Sequence, residues 1–243
     1  MEKAYKLLAR QESISNKKAK ELIDRGLVYA GERKVKIARA SMPEDTRFRI
    51  EKPADTEIIY QDRDIVVVNK PPFIESIEIE RAIEGSRLLH RLDRETSGVL
   101  LLARNEEFAK KAIEAFRKRD VTKEYVAWVE GKVAEAMTID MPIHTIKKGR
   151  ALSRVDKKIG KTAITRVYPD EIQGKKSKVR IEIDTGRTHQ IRVHLSHEGH
   201  PVVGDELYGS RTLARRILLH AKKISLLDME FVAPEPLDIV RYK

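Results

Sequence analysis

The sequence predicts an α+β protein in two parts: a small α/β module over residues 1–52, and a larger domain over residues 56–243 on a largely antiparallel mixed sheet. Three observations carry that expectation. Beyond residue 55, short apolar or alternating runs outnumber long helical ones. Lys52-Pro53-Ala54-Asp55 breaks the pattern as a linker. Charge is uneven as well: residues 1–52 hold 14 Lys and Arg against 8 Asp and Glu, an excess of +6 out of +11 for the 243-residue chain.

In the first part, Tyr5, Leu7 and Leu8 mark a short amphipathic segment. Ser15 is placed to cap a helix over Asn16–Arg25, with Ala19, Leu22 and Ile23 inward and Gly26 as its stop. "LVYAGERKVKI" reads as a hairpin turning at Gly31-Glu32, and "EDTRFRIE" alternates like a further strand. In the second part the expected strands are "EIIY", "DIVVVNKP", "GVLLLAR", "EYVAWVEG", "TAITRVYP", "KVRIEID" and "QIRVHLSH", with one helix from about Glu106 to Arg119. Val99-Leu100-Leu101-Leu102 has no polar alternation, the mark of a strand buried on both faces.

Composition excludes several classes. The chain has no cysteine, so disulfides, thiolate chemistry and cysteine-rich zinc modules are out. No run approaches the roughly 20 apolar residues of a membrane span, and the first residues lack the apolar core of a signal peptide. A cytoplasmic protein without membrane contact is expected. A one-signed excess of cations on a helix and hairpin points to nucleic acid, with Lys17, Lys18, Lys20, Arg25 and Arg33 as candidate phosphate contacts.

Polar clusters beside apolar strands are the candidates for chemistry: His90 to Ser97, Lys123 to Tyr125, and Thr185 to Gly209 with His189, His194, His197 and His200. A metal site is disfavoured, because a strand would put His189 and His194 on opposite faces and no zinc-hydrolase spacing is present. Asp93 and Glu95 could form a hydrolytic carboxylate pair, although a turn would make them diverge. Ser97 lacks a nucleophile elbow, and Thr96-Ser97-Gly98 reads as turn chemistry. A single Asp93 remains: carboxylates of this type ionise near pH ~3.9, neighbouring Arg91 and Arg94 favour the anion, and such an anion can attack electrophilic carbon.

"HRLDRETSGVLLLAR" resembles the catalytic motif of the RluA-type RNA pseudouridine synthases, with Asp93 at the position of the essential aspartate. "VVVNKPP", "FRKRDVTKEYVAWVEG", "GRTHQIRVHLSHEGHPVVGDELYG" and "LLHAKKISL" match further family segments in family order, across residues 58–231. "SNKKAKELIDRGLVYAGERKVK" resembles the alpha-L RNA-binding domain of a ribosomal small-subunit protein and several RNA-modifying enzymes. After "NKP" the chain departs from the family, lacking its Gly-containing segment and His-Pro pair.

The resemblance implies a pseudouridine synthase fold and an isomerase that converts uridine to pseudouridine without cofactor or metal. Asp93 would attack the sugar carbon or the base. Tyr125 would stack on the uracil and assist proton removal from carbon 5, and Arg192 would pair with Asp93. Arg91 would enter the RNA as the uridine flips out, and Leu219 would wall the pocket. The implied partner is RNA: ribosomal RNA of the large subunit, with tRNA the alternative, acted on by a monomer. A non-catalytic RNA-binding or ribosome-assembly factor and a metal-dependent RNA hydrolase are the rival readings.

Overall fold

Ser15 accepts a hydrogen bond from the Lys18 backbone N–H and starts a helix as its sequence requires. The computed structural model describes residues 1–148 and 150–242. Its contacts divide the chain into two compact units, Met1–Ala54 and Asp55–Lys243. In the first, strand β1 (Glu2–Lys3) leads into α1 (Ala4–Gln11) and α2 (Asn16–Asp24). These are followed by β2 (Val28–Ala30), β3 (Arg33–Lys34), β4 (Ser41–Met42) and β5 (Phe48–Ile50). β2 pairs antiparallel with β3 and β5, and β1 with β4. Leu7, Leu8, Ala19, Ile23, Val28, Val35 and Phe48 form this unit's own core.

The second unit contains β6 (Glu57–Gln61), β7 (Ile65–Lys70), α3 (Ser76–Ala82), β8 (Arg87–Leu88), β9 (Ser97–Ala103) and α4 (Glu106–Lys118). It continues with β10 (Val121–Glu130), β11 (Met137–Asp140), β12 (Ile143–Lys148), β13 (Arg150–Val155), β14 (Ile164–Gln173) and β15 (Lys176–Ile183). α5 (Gln190–His197), β16 (Leu219–Leu226), β17 (Met229–Val232) and α6 (Leu237–Val240) complete it. The main sheet runs β11-β14-β15-β10-β16-β9-β7-β6, with β17 on β16 and β8 on β9; β12 and β13 form a separate hairpin. Every pairing is antiparallel except β16 with β9, so two antiparallel halves meet at one parallel seam.

That seam is short, joining only His220 to Ser97 and Ala221 to Gly98. Gly98 makes it possible: at φ +115° a Cβ there would lie 2.1 Å from the Ala221 carbonyl oxygen. Farther along β9, β8 takes over at Leu102 and Ala103. β9 is buried along its whole length, as its apolar run predicts. Leu100 and Leu102 pack into the core that includes α3 and α5, while Val99 and Leu101 pack with Ala112 and Ala115 of α4.

"QIRVHLSH" is a helix, not the strand its alternation suggests. Gln190 to Leu195 are all buried, and a helix covered on every side loses the polar face that would betray its period. Gly199, at φ +81° just past the last turn, is the stop signal an alternating pattern masks. Ser97 and Gly98 likewise belong to β9, and only Thr96 closes a turn, donating its N–H to the Asp93 carbonyl at 3.0 Å. Among the described residues no helix is long and apolar enough to cross a membrane.

Candidate active site

The parallel seam opens into a cavity of about 940 Å³ lined by the segment before β9, the first half of β10, the turn into α5, and Leu219 at the head of β16. Asp93, Tyr125, Arg192, Arg91 and Leu219, scattered over more than 120 positions of sequence, all face it. Lys17, Lys18, Lys20, Arg25 and Arg33 belong to the first unit. There Lys18 and Arg25 share Glu21, at 3.1 and 3.4 Å, Lys20 lies 4.3 Å over the Tyr5 ring, and Lys17 and Arg33 are exposed.

The loop carrying Asp93 is pinned from below. Lys70, fully buried at the end of β7, donates to the carbonyls of Pro71, Ile74 and Arg94 at 2.9, 2.8 and 3.1 Å. Burial pushes its pKa down to about 7 against the charges of Glu75 and Asp93, while three acceptors call for three N–H donors, the ammonium form. Ser76, at the start of α3, both donates to the Leu92 carbonyl and accepts from its N–H, each at 3.1 Å. The residues after "NKP" therefore form a platform for the loop.

Asp93 is a quarter exposed at the cavity wall, its Oδ2 accepting from Arg192 Nη1 at 3.1 Å and lying 3.8 Å from His189 Nε2. Arg192 is buried on α5 and donates twice more to Asp205, Nε to Oδ2 at 2.6 Å and Nη2 to Oδ1 at 2.9 Å. Burial alone would depress the Arg192 pKa, but Asp205 and then Asp93 raise it on balance, so its charge is permanent. Tyr208 lies under the guanidinium, 5.0 Å from the ring centre, and its hydroxyl meets His189 Nδ1 at 2.8 Å and the Ser153 N–H at 2.9 Å. His189 takes a left-handed conformation, φ 55°, in heading α5. Burial, with the Asp93 charge, pushes the Tyr125 phenol well above its ordinary range, so it stays protonated at neutral pH.

Sequence reasoning anticipated the Arg192–Asp93 contact but missed Asp205, Lys70 and Tyr208. Asp205 stands in "VGDELYG", where Gly204 at φ +82° marked a special backbone without naming its purpose. The four clustered histidines separate in space. His189 faces Asp93, His194 meets Thr165 Oγ1 and the Met141 carbonyl, His200 meets the Glu130 carbonyl, and His197 is exposed.

A family model for RNA pseudouridylate synthases matches residues 64–197. An uncharacterized RNA pseudouridine synthase of Helicobacter pylori (strain J99) is 50% identical over 243 residues, covering 98% of this chain and 100% of the relative. The ribosomal large subunit pseudouridine synthase D of Haemophilus influenzae is 31% identical over 261 residues, covering 90% of this chain and 78% of the relative. The solved structure of human RNA pseudouridylate synthase domain containing 1 superposes with a TM-score of 0.66 at 33% identity, over 75% of this chain and 84% of that one.

Proposed function

Because this chain belongs to the RNA pseudouridylate synthase family and is an isomerase acting on RNA, we propose that Asp93, Tyr125 and Arg192 carry its reaction and that large-subunit ribosomal RNA is its substrate. The observation that carries the site is the convergence of an accessible carboxylate, a buried guanidinium and a protonated tyrosine on one cavity. The likeness to the Haemophilus enzyme supports the substrate, with tRNA the alternative.

The reaction breaks the bond from uracil nitrogen to ribose carbon 1′, turns the base, joins its carbon 5 to carbon 1′, and moves the carbon 5 proton away as nitrogen 1 gains one. No electrons are exchanged with another molecule, and no water is consumed overall. Asp93 supplies the nucleophile, toward either the sugar carbon or the base. Arg192 pairs with that carboxylate and aims it. Because the Tyr125 phenol keeps its proton, stacking under the uracil suits it better than acting as a phenolate base. A stacked base returns about 1–3 kcal/mol, against the few kcal/mol that flipping it out of the RNA takes. Arg91, exposed at the rim, fills the place the uridine leaves, and Leu219 confines the base.

The first unit, an alpha-L-type module in this reading, adds phosphate contacts through Lys17, Lys18, Lys20, Arg25 and Arg33. The test is Asp93→Asn with pseudouridines mapped across cellular RNA in cells bearing either form. Loss of one or more large-subunit sites with RNA affinity retained is expected; an unchanged map would overturn the assignment of Asp93. Loss confined to tRNA sites would replace the substrate.

A further inference from the structure

Four cations are buried among the described residues: Lys70, Lys123, Arg192 and Arg216. Three are fully engaged. Lys70 holds three carbonyls, Arg192 two carboxylates, and Arg216 the Asp238 carboxylate with the Ile217 and Leu219 carbonyls. Lys123 differs. It is 9% exposed and lines the cavity, yet among the described residues its ammonium meets no hydrogen-bond acceptor or carboxylate, only the Phe116 ring at 5.9 Å. That distance is the outer limit of a cation–π contact. Burial pushes its pKa down to about 8, opposed by Asp184, which is itself paired with Arg166.

A desolvated ammonium without an anion is unfavourable, and the position of this one says which anion it awaits. Lys123 precedes Tyr125 by two residues on β10, so both point to one side, about 6.6 Å apart along the strand. That span is comparable to the reach from a nucleobase to its own backbone phosphate. Arg119, exposed in the left-handed turn between α4 and β10, lines the cavity next to it.

We propose that Lys123 is a phosphate-anchoring residue, its ammonium receiving an oxygen of the RNA phosphodiester that adjoins the nucleotide stacked on Tyr125, with Arg119 completing the clamp. This rests on the placing of that nucleotide in this cavity. A uracil carbonyl is the weaker candidate, since a neutral acceptor leaves the buried charge uncompensated.

The experiment measures affinity of the full-length protein for an unmodified transcript of bacterial large-subunit ribosomal RNA over a series of KCl concentrations, with turnover and melting temperature in parallel. Lys123→Met is expected to weaken binding roughly tenfold at low salt. It should reduce the slope of log Kd against log salt by about 0.7–0.9 and place its loss on KM rather than kcat. Lys123→Arg should restore the slope. The melting temperature of Lys123→Met should equal or exceed that of the parent, because an unpaired buried charge has gone. An unchanged slope, a loss confined to kcat, or a lowered melting temperature with intact binding would each overturn the proposal. Repeating the titrations on Asp93→Asn keeps the two readings apart: absent pseudouridine formation in the parent refutes the catalytic reading, and a slope insensitive to Lys123 refutes only this one.

Discussion

Arg192 and Asp205 form a two-point pair, 2.6 and 2.9 Å long, in which both partners are buried. The pair fixes the plane of the guanidinium and leaves Nη1 to reach Asp93 at 3.1 Å. A planar fork serves two carboxylates at once; a point charge on a flexible stem does not.

Arg192→Lys should therefore cut kcat by roughly a hundredfold or more, the scale of about 3 kcal/mol. The carboxylate would remain present but no longer aimed. Asp205→Asn should lower both activity and stability, the latter by about 3–5 kcal/mol, because it leaves a buried cation half paired. Single-turnover kinetics and urea unfolding measure the two losses; an Asp205→Asn protein of parental stability would contradict the argument.

Lys70→Met should behave oppositely to Lys123→Met. The three carbonyls that Lys70 holds lose their donor, and each buried acceptor left unpaired costs about 1–3 kcal/mol. Urea denaturation should show a loss of about 3 kcal/mol or more, and activity per folded molecule should fall because the Arg94 carbonyl is released from the loop's anchor.

Gly98→Ala tests the seam. The added methyl would collide with the Ala221 backbone, and relief requires the two half-sheets to part. A loss of about 3 kcal/mol or more is expected, read by thermal melting, with substrate turnover falling alongside.

Stability should decline as the solution is acidified from about pH 6.5 toward pH 4. Burial lowers the pKa of His220 to about 4 and of His90 to about 3, and lowers that of His194 too. In this window the unfolded chain takes up protons that the folded chain refuses, so stability falls with pH. Between the unfolded and folded values, His220 and His90 each contribute a slope of up to about 1.4 kcal/mol per pH unit. His220→Gln should flatten the curve by that amount in denaturant titrations at several pH values.

Replacing Lys17, Lys18 and Arg33 together by Gln should lower RNA affinity, and should reduce the salt slope by about one unit for every phosphate these cations neutralise. The chemical step on bound RNA should be unchanged. Filter binding across KCl concentrations checks the first and single turnover the second. An unaltered slope would remove the first unit from the RNA interface.

Local chemistry is what the sequence by itself determined. Ser15 and Gly26 bound a helix, Val99 to Leu102 must be buried on both faces, and Asp93 sits where a charged segment meets that strand, because caps, periodicity and desolvation act over a few residues. The motif order also singled out Tyr125 and Arg192, which folding brings to the same cavity as Asp93. Tertiary structure decided the rest. α5 was not legible as a helix because burial around Gln190 to Leu195 removed the polar face that would have revealed its period. Asp205 and Lys70 acquired their roles only when folding brought them to Arg192 and to the Asp93 loop, 13 and 24 residues away in sequence. Lys123 became distinctive only in the folded molecule, where its ammonium is buried without an acceptor among the described residues, since the energy of a buried charge depends on everything packed around it.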